Sequence, residues 1–165
     1  MASADGELRK VVRRILGDIR VELGDEFDQN FERQGFFAEK WQRRKSPIRG
    51  DGHILVASGD LRKSIRSRSD DHSITFYSDL AYAGIHNEGG EIKVTARMKR
   101  FFWHKYHETK DEFWKAMALM KEGKTIKIPR RQFLGMAPEV ETEVRKIIEA
   151  NLTQYFEHDF NINTK

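Results

Sequence analysis

The sequence contains no cysteine among its 165 residues. A disulfide framework, a thiolate nucleophile and a zinc site built on cysteine are therefore excluded. It also has no apolar run near the roughly 20 residues that a membrane-spanning helix requires, and its first residues, MASADGELRK, lack the apolar core of a secretion signal. We expect a soluble protein that makes no membrane contact and that no standard signal exports; a reducing compartment is compatible with it.

A large excess of one charge is missing as well. Thirty Lys and Arg residues oppose 26 Asp and Glu residues, which gives a formal net charge of +4 and a pI near 9.3. The basic clusters RKVVRR, QRRK and RMKR each lie beside acidic residues, which favours solvated faces over dedicated nucleic-acid sites. At this length, with 38% hydrophobic residues, the whole chain, 1–165, is expected to form a single domain with its own core.

Two long amphipathic helices are predicted, one in each end region of the sequence. In both, apolar residues recur at three- and four-residue steps, and charged residues fill most other positions. Gly35 follows the first helix, and Pro138 stands at a natural first-turn position of the second. The apolar positions are Leu8, Val12, Ile15, Ile19, Leu23, Phe27 and Phe31 in the first helix, and Val140, Val144, Ile147, Ile148, Leu152, Tyr155 and Phe156 in the second.

About four strands are predicted between the two helices. The alternating runs SIRSRS and SITFYS flank Asp70-Asp71-His72, which predicts a β-hairpin, and the runs EIKVTA and KTIKIP supply two more strands. Residues 97–123, between the last two strands, are predicted to form a helical insertion of two short helices broken near residues 108–111. The predicted fold class is α+β, with the two long helices packed on a small, mainly antiparallel sheet.

A surface loop is predicted over residues 36–57, where Ser-Pro and Gly-Asp-Gly interrupt any helical or strand period. Aromatic residues at the start of this loop, including Trp41, are expected to anchor it to the core. Immediately after it, Ser58 is positioned to cap a single helical turn that carries Leu61.

Two short segments, LAYAGIHNEGG at 80–90 and IPRRQFLG at 128–135, are too irregular for generic core. The first predicts a turn of helix that stops at Gly89-Gly90, because glycine takes the left-handed backbone that ends a helix. A strand follows at once. In the second segment, Pro129 ends or edges a strand because it has no N–H for the ladder. Both segments are therefore predicted to be corners that bracket the insertion.

Candidate catalytic and metal-binding groups are sparse. His86 has Asn87 and Glu88 beside it, but no nucleophile pairs with it at a recognisable spacing, so a structural histidine is favoured. His104 and His107 lie one helical turn apart without a predictable third metal ligand. The glycine-containing turns match no nucleotide-binding frame. We therefore expect no catalytic residue, no metal ligand and no cofactor.

The segment RMKRFFWHKY interleaves cations with aromatic rings. This composition is typical of surfaces that stack and neutralise single-stranded nucleic acid. A core-facing aromatic stripe beneath a solvated basic face would give the same pattern, and a protein contact is a third reading. The residues that would make a partner or nucleic-acid contact are Arg97, Lys99, Arg100, Trp103 and Lys105.

In order along the chain, Trp41, LVASGDLRKSI, the predicted hairpin, YAGIHNEGG, VTARMKRFFWHKY and IPRRQFLG resemble the phage virion morphogenesis family. That family includes tail completion proteins of Mu-like and related contractile-tailed phages. The resemblance covers roughly residues 27–152, and its most specific parts match the patterns YA-x-x-H-x-x-GG and P-x-R-x-FLG. The residues that carry the family motifs here are Trp41, Gly59, Leu61, Tyr82, His86, Gly89, Gly90, Pro129, Arg131, Phe133 and Leu134.

The resemblance implies a non-enzymatic structural protein of a phage or prophage. Such proteins complete the tail or prepare it for joining to the head, so the expected locations are the bacterial host cytoplasm during assembly and then the head-proximal end of the virion tail. The expected partners are other tail or connector proteins and further copies of this chain in a ring, with a hexamer as one candidate. Nucleic acid is not expected as a partner. A closed ring needs two different contact patches, and 36–57 and 97–123 are the predicted ones.

Overall fold

Two long helices frame the chain and pack against each other. In the computed structural model, which describes residues 2–44 and 53–163, α1 spans Ala2–Arg33 and α6 spans Pro138–Asn163. They run antiparallel: Arg14 Nη2 donates to Gln154 Oε1 at 2.6 Å, and Asn151 Nδ2 donates to Asp18 Oδ2 at 2.8 Å. Both predicted helices are confirmed. None of the described helices has the length and apolar character needed to cross a membrane.

Between these helices the described chain forms three separate two-stranded antiparallel sheets. β1 (Gly35–Phe36) pairs with β2 (Glu39–Lys40), β3 (Ile65–Ser69) pairs with β4 (Ile74–Ser78), and β5 (Gly90–Lys93) pairs with β6 (Thr125–Ile128). The predicted α+β class and the predicted hairpin are confirmed.

The prediction of one sheet with about four strands is wrong in two respects. There are six strands in the described chain, and they do not join into a single sheet. β1 and β2 have two residues each, too few to show the alternation that identifies a strand in a sequence. The alternation of apolar and polar residues also identifies extended segments, but it does not show which strands pair with each other. Part of the predicted 36–57 loop is thus a small hairpin, and its residues 45–52 lie outside the described chain.

Two short helices precede and follow β3–β4. α2 (Asp60–Lys63) is the predicted single turn, and α3 (Ala83–Glu88) is the helix that stops at the paired glycines. The predicted helix, stop and strand of the 80–90 segment are therefore confirmed.

The insertion between β5 and β6 is a helical hairpin, as predicted. α4 (Ala96–Thr109) begins where Thr95 Oγ1 accepts the Met98 N–H at 3.2 Å, and it ends at Lys110, which takes the left-handed conformation with φ 58°. α5 (Glu112–Ala118) is capped by the Asp111 carboxylate. These two helices pack chiefly on each other, and the ring of Trp114 lies against those of Phe101 and Phe102 at 6.0 and 5.9 Å.

Two apolar clusters lie along α1. The first surrounds the middle of α1 and the start of α6, and its most buried members are Ile19, Leu23, Phe27, Phe36 and Val140. The second lies at the C-terminal end of α1, and its members are Phe31, Trp41, Ile54, Leu61, Ala83 and Phe133. Leu134 packs against both clusters, so the 128–135 segment joins the two parts of the core.

Candidate functional site

The 80–90 and 128–135 segments meet at one end of the β5–β6 ladder. Gly90 begins β5 and pairs with the last residue of β6. Just beyond this pair, the Arg131 N–H donates to the His86 carbonyl at 2.8 Å. We call the place where the two segments meet the motif junction.

The side chain of Asn87 holds the second segment of the motif junction in place. Its Oδ1 accepts the backbone N–H groups of Phe133 at 2.9 Å and Leu134 at 3.0 Å, and its Nδ2 donates to Glu88 Oε1 at 2.6 Å. Phe133 is only 1% exposed, so its N–H depends on this protein acceptor. This role of Asn87 was not predicted from the sequence, because the spacing of residues along the chain gives no sign of a partner more than 40 residues away.

Trp41 ties the motif junction to α1. Its Nε1 donates to the Gln132 carbonyl at 2.6 Å. Its ring meets the ring of Phe31 edge-on at 5.6 Å, and Phe31 in turn lies 5.4 Å from the ring of Phe133. The predicted anchoring role of Trp41 is confirmed.

Two amide side chains near the end of α1 bond distant backbone groups, and neither was predicted from the sequence: Asn30 reaches the motif junction, and Gln34 fixes Ile54 in the neighbouring apolar cluster. Asn30 is fully buried; its Nδ2 donates to the Phe133 carbonyl at 3.4 Å, and its Oδ1 accepts the Phe37 N–H at 3.0 Å. Gln34 bonds both the N–H and the carbonyl of Ile54, at 2.5 and 3.2 Å. A signal was available, since Asn30 falls on the apolar stripe of α1, where a polar side chain requires bonding partners.

Close packing against backbone requires glycine at position 89 of the motif junction. Gly89 has φ +74°, and a Cβ at this position would lie 2.7 Å from the Arg130 backbone nitrogen. Gly90 has φ +154°, and a Cβ there would lie 2.7 Å from Ile85 Cδ1. Pro129 follows the last residue of β6, as its missing N–H predicts.

Gly59 and Leu61 belong to the turn before β3. Leu61 is 4% exposed and shares an apolar cluster with Trp41. The prediction that Ser58 caps α2 is wrong: the cap position is Gly59, with φ +74°, and Ser58 Oγ accepts only the Asp60 N–H at 3.4 Å. The left-handed conformation at the cap favours glycine over serine.

His86 and Arg131 are the titratable residues at the centre of the motif junction. Arg131 is 8% exposed, and its Nε donates to the Gln42 carbonyl at 3.1 Å. Burial lowers the pKa of the Arg131 guanidinium, and the Arg44 charge lowers it further. Burial also lowers the pKa of His86, and the Arg131 charge adds to this effect. The imidazole is thus held neutral beside a buried cation, and the ring of Tyr82 lies 6.0 Å from it, edge-on.

The hydrogen bonds of the motif junction serve structure. Asn30, Asn87 and Trp41 each bond a backbone group of the 128–135 segment, which fixes several distant chain segments in one geometry.

The Nδ1 atom of His86 is buried and has no hydrogen-bond partner within the described chain. No group of three or more potential metal ligands gathers anywhere in the searched, described residues.

The comparison with protein families decides the assignment. The phage virion morphogenesis family matches residues 3–153, which is nearly the whole chain. This chain belongs to the phage virion morphogenesis family. The resemblance carried by the two motifs is therefore confirmed, and the match extends beyond residues 27–152 to include most of α1. No curated protein and no solved structure matches the chain.

In this member of the phage virion morphogenesis family, the five residues considered for partner contact lie away from the motif junction. They are on α4, beyond the opposite end of the β5–β6 ladder. Arg97 and Arg100 are exposed, whereas Lys99 and Lys105 are half-buried, and Lys105 Nζ lies 2.7 Å from Glu108 Oε2.

The aromatic side chains of α4 divide between two sides. Phe102 is buried against α5. Trp103 is 37% exposed and lies 6.0 Å from the ring of Tyr106 and 6.2 Å from that of His107. The structure therefore supports both a core-facing side and an exposed aromatic side in the same segment.

Proposed function

We propose that this protein is a non-enzymatic structural subunit that completes the phage tail and prepares it for joining to the head. The observation that carries the proposal is the family match over residues 3–153. Under this proposal the protein assembles in the cytoplasm of the bacterial host and remains at the head-proximal end of the virion tail.

The motif junction supports a structural role. Its residues are used to fasten chain segments: Asn87 binds two backbone N–H groups, Trp41 binds one carbonyl, and Gly89 allows a close backbone approach. An enzyme of the acid–base type would present pairs of side chains toward a substrate. Here the Asn87 oxygen and the Trp41 N–H are taken up by backbone groups of the 128–135 segment.

The helical insertion supplies a surface suited to assembly. Its exposed apolar side chains include Phe101 at 49%, Trp103 at 37% and Leu119 at 65% exposure. Aromatic residues and arginine are enriched at protein interfaces. We propose that this surface contacts a neighbouring copy or another tail or connector protein within a ring, with six copies as the first number to test.

The test uses a phage or prophage strain in which the gene is deleted and restored by plasmid copies. Electron microscopy should show heads and unattached tails in the deletion strain, and joined particles after complementation with the original sequence. Complementation with Leu119→Glu should fail, whereas Leu8→Glu, a change at a similarly exposed site on α1 (58%), should restore joined particles. Normal particles in the deletion strain would refute the proposal.

A nucleic-acid contact is the second candidate, favoured by the exposed Trp103 on the same helix as Arg97 and Arg100. Binding to DNA should then weaken steeply with salt because phosphate contacts release counterions. Replacement of the two arginines by Gln should reduce the salt dependence. Undetectable binding at low salt would remove this candidate and leave protein contact.

A further inference from the structure

An open apolar groove lies between β4 and α6, over the middle of α1. It has a volume of about 590 Å³. Its floor is α1, from Val12 to Phe27; one wall is β4, and the other is the first half of α6 together with the segment that precedes it. The apolar residues of α6 in this wall are Val140, Val144 and Ile148. Met136, at the rim, is 68% exposed.

The β4 wall has an unpaired backbone edge. The β3–β4 turn closes with the Asp70 N–H donating to the Ser73 carbonyl at 3.0 Å. In an antiparallel ladder hydrogen-bonded pairs recur every second residue, so the backbone groups of Thr75 and Tyr77 face β3, and those of Ile74 and Phe76 face away from it. In the described chain β4 pairs with β3 alone, and no backbone hydrogen bond outside the ladders involves Ile74 or Phe76. The groups of these two residues that face away from β3 are therefore left without a backbone partner there.

The unpaired edge faces the groove. The groove is lined by residues 72–76 and by no residue of β3, whereas a separate, smaller cleft lies on the β3 side and is lined by Ile65, Arg66 and Ser67. Ile74 and Phe76 also direct their side chains toward α1, since the rings of Phe76 and Phe27 meet edge-on at 5.0 Å. A strand added beside β4 would therefore direct alternate side chains onto the apolar floor.

The dimensions of the groove fit one strand. From Val12 to Phe27, α1 rises about 22 Å at roughly 1.5 Å per residue. An extended chain covers that length in about seven residues at roughly 3.3 Å each. The far wall of the groove is α6, so the space for added strands beside β4 is bounded on both sides. Each strand of the described chain is already paired in a two-stranded sheet. A second copy of the chain could therefore offer only a strand that carries its own partner, and this favours a single strand from another protein as the occupant.

The charges around the groove indicate the composition of the strand. Register pairs Arg68 with Thr75 and Arg66 with Tyr77, so two arginines lie on the outer face of the hairpin, away from α1. A strand added beside β4 would lie about 10 Å from β3, within reach of long arginine side chains. Arg66 Nη1 already lies 3.8 Å from Asp79 Oδ2, so Arg68 is the charge that would attract acidic residues on the outer face of the added strand. The fitting sequence therefore alternates apolar and acidic residues.

We propose that this groove binds a single extended arm of another protein, which adds a strand to the free edge of β4 and buries alternate apolar side chains on α1. That the other protein is a component of the phage particle rests on the function proposed above. Pairing of backbone groups supplies affinity, and the apolar floor selects the side chains.

The test uses the full chain and a synthetic peptide, acetyl-Glu-Val-Glu-Ile-Glu-Val-Glu-amide. Backbone N–H groups of a strand point alternately to its two sides, and side chains alternate with them. One modified peptide carries N-methyl groups on its Val and Ile residues, and another carries them on its Glu residues. Only one of these two sets of N–H groups can face β4. One modified peptide should therefore bind at least tenfold more weakly, and the other should bind as the unmodified peptide does. Amide hydrogen exchange at Ile74 and Phe76 should slow when the unmodified peptide binds.

Matched protein variants locate the peptide. Met136→Asp, on the groove rim, should weaken binding at least tenfold, whereas Leu119→Asp, at a similarly exposed site on the insertion (65% against 68%), should not. No binding at roughly millimolar peptide would overturn the proposal, and so would equal binding of both methylated peptides, which would indicate apolar contact without strand pairing.

The occupant is identified in assembled particles. A photo-crosslinking residue at position 136 should join this chain to a different particle protein, and a crosslink to a second copy would overturn the assigned occupant. The two proposals fail separately. Normal joining of heads and tails in the deletion strain would refute the proposed assembly role and leave the result of the peptide experiment unaffected. If the protein is needed for joining but does not bind the peptide, only the proposal that the groove binds an extended arm is refuted.

Discussion

The side chain of Asn87 gives the sharpest test of the motif junction. Asn87→Ala removes the acceptor of the Phe133 and Leu134 N–H groups. A buried donor left without a partner costs about 1–3 kcal/mol. The Phe133 N–H is fully enclosed and lies at the upper end of this range, while Leu134 is half-buried and lies lower. We expect the free energy of unfolding to fall by about 3 kcal/mol.

The assay is urea denaturation followed by tryptophan fluorescence, with thermal melting as a second measurement. For a chain of this size each kcal/mol lowers Tm by about 2–4 °C, so the alanine variant should melt roughly 6–12 °C lower. Asn87→Asp is the matched control. It keeps an oxygen acceptor for both N–H groups. The new carboxylate repels Glu88, but that side chain is exposed and can turn into solvent, so the loss of unfolding free energy should be at most about 1 kcal/mol.

If Asn87→Ala and Asn87→Asp lose the same free energy of unfolding, the reasoning is refuted, because the acceptor oxygen would then not be the stabilising group. A loss below about 1 kcal/mol in Asn87→Ala would do the same, since it would mean that water reaches both N–H groups. In either case the two segments of the motif junction would be held together chiefly by the β5–β6 ladder.

Three further predictions concern other residues. Gly89→Ala should lower the free energy of unfolding by about 2 kcal/mol or more, because of its positive φ and the short contact to residue 130, whereas Gly84→Ala, in open space on α3, should raise it by about 0.5–1 kcal/mol; similar urea midpoints would contradict this. Asn151→Asp should lose about 2–4 kcal/mol, because the buried amide donates to Asp18 and a carboxylate would repel it; an unchanged Tm would show that the donor is dispensable. The pKa of His86 is lower in the folded state than in the unfolded state, so the contribution of the neutral imidazole to stability is complete above the unfolded pKa of about 6.5 and is lost as pH falls below it. The urea midpoint should therefore fall less between pH 7.5 and pH 5.5 in His86→Gln than in the original protein. Equal falls in the two proteins would contradict a lowered pKa for His86.

Much of the fold follows from local patterns in the sequence. The apolar period of α1 and α6, the break at Lys110 and the stop at Gly89-Gly90 depend on residues close together in the chain, and each was predicted correctly. The pairing of strands depends on contacts between distant residues. Alternation in SITFYS identified β4 but gave no indication that one of its edges is free.

The candidate site was predictable only in part. The two motif segments were identified, but the side chains that join them were not. Asn30 and Asn87 act on backbone groups 103 and 46 residues away, and an amide carries no local mark of the backbone it will bind. The tryptophan was easier to predict, because a large aromatic residue in an irregular segment is commonly an anchor.

The order of the elements has a consequence for synthesis in the cell. α1 is translated before the 128–135 segment and α6, whose residues cover its apolar stripe and emerge about a hundred residues later. At about 5–20 residues per second the ribosome needs roughly 5–20 s to reach them. During that interval the nascent helix offers Ile19, Leu23 and Phe27 to any binding protein nearby. The growing chain is thus a natural client for a chaperone at the ribosome, and a truncated product ending before Phe133 should aggregate.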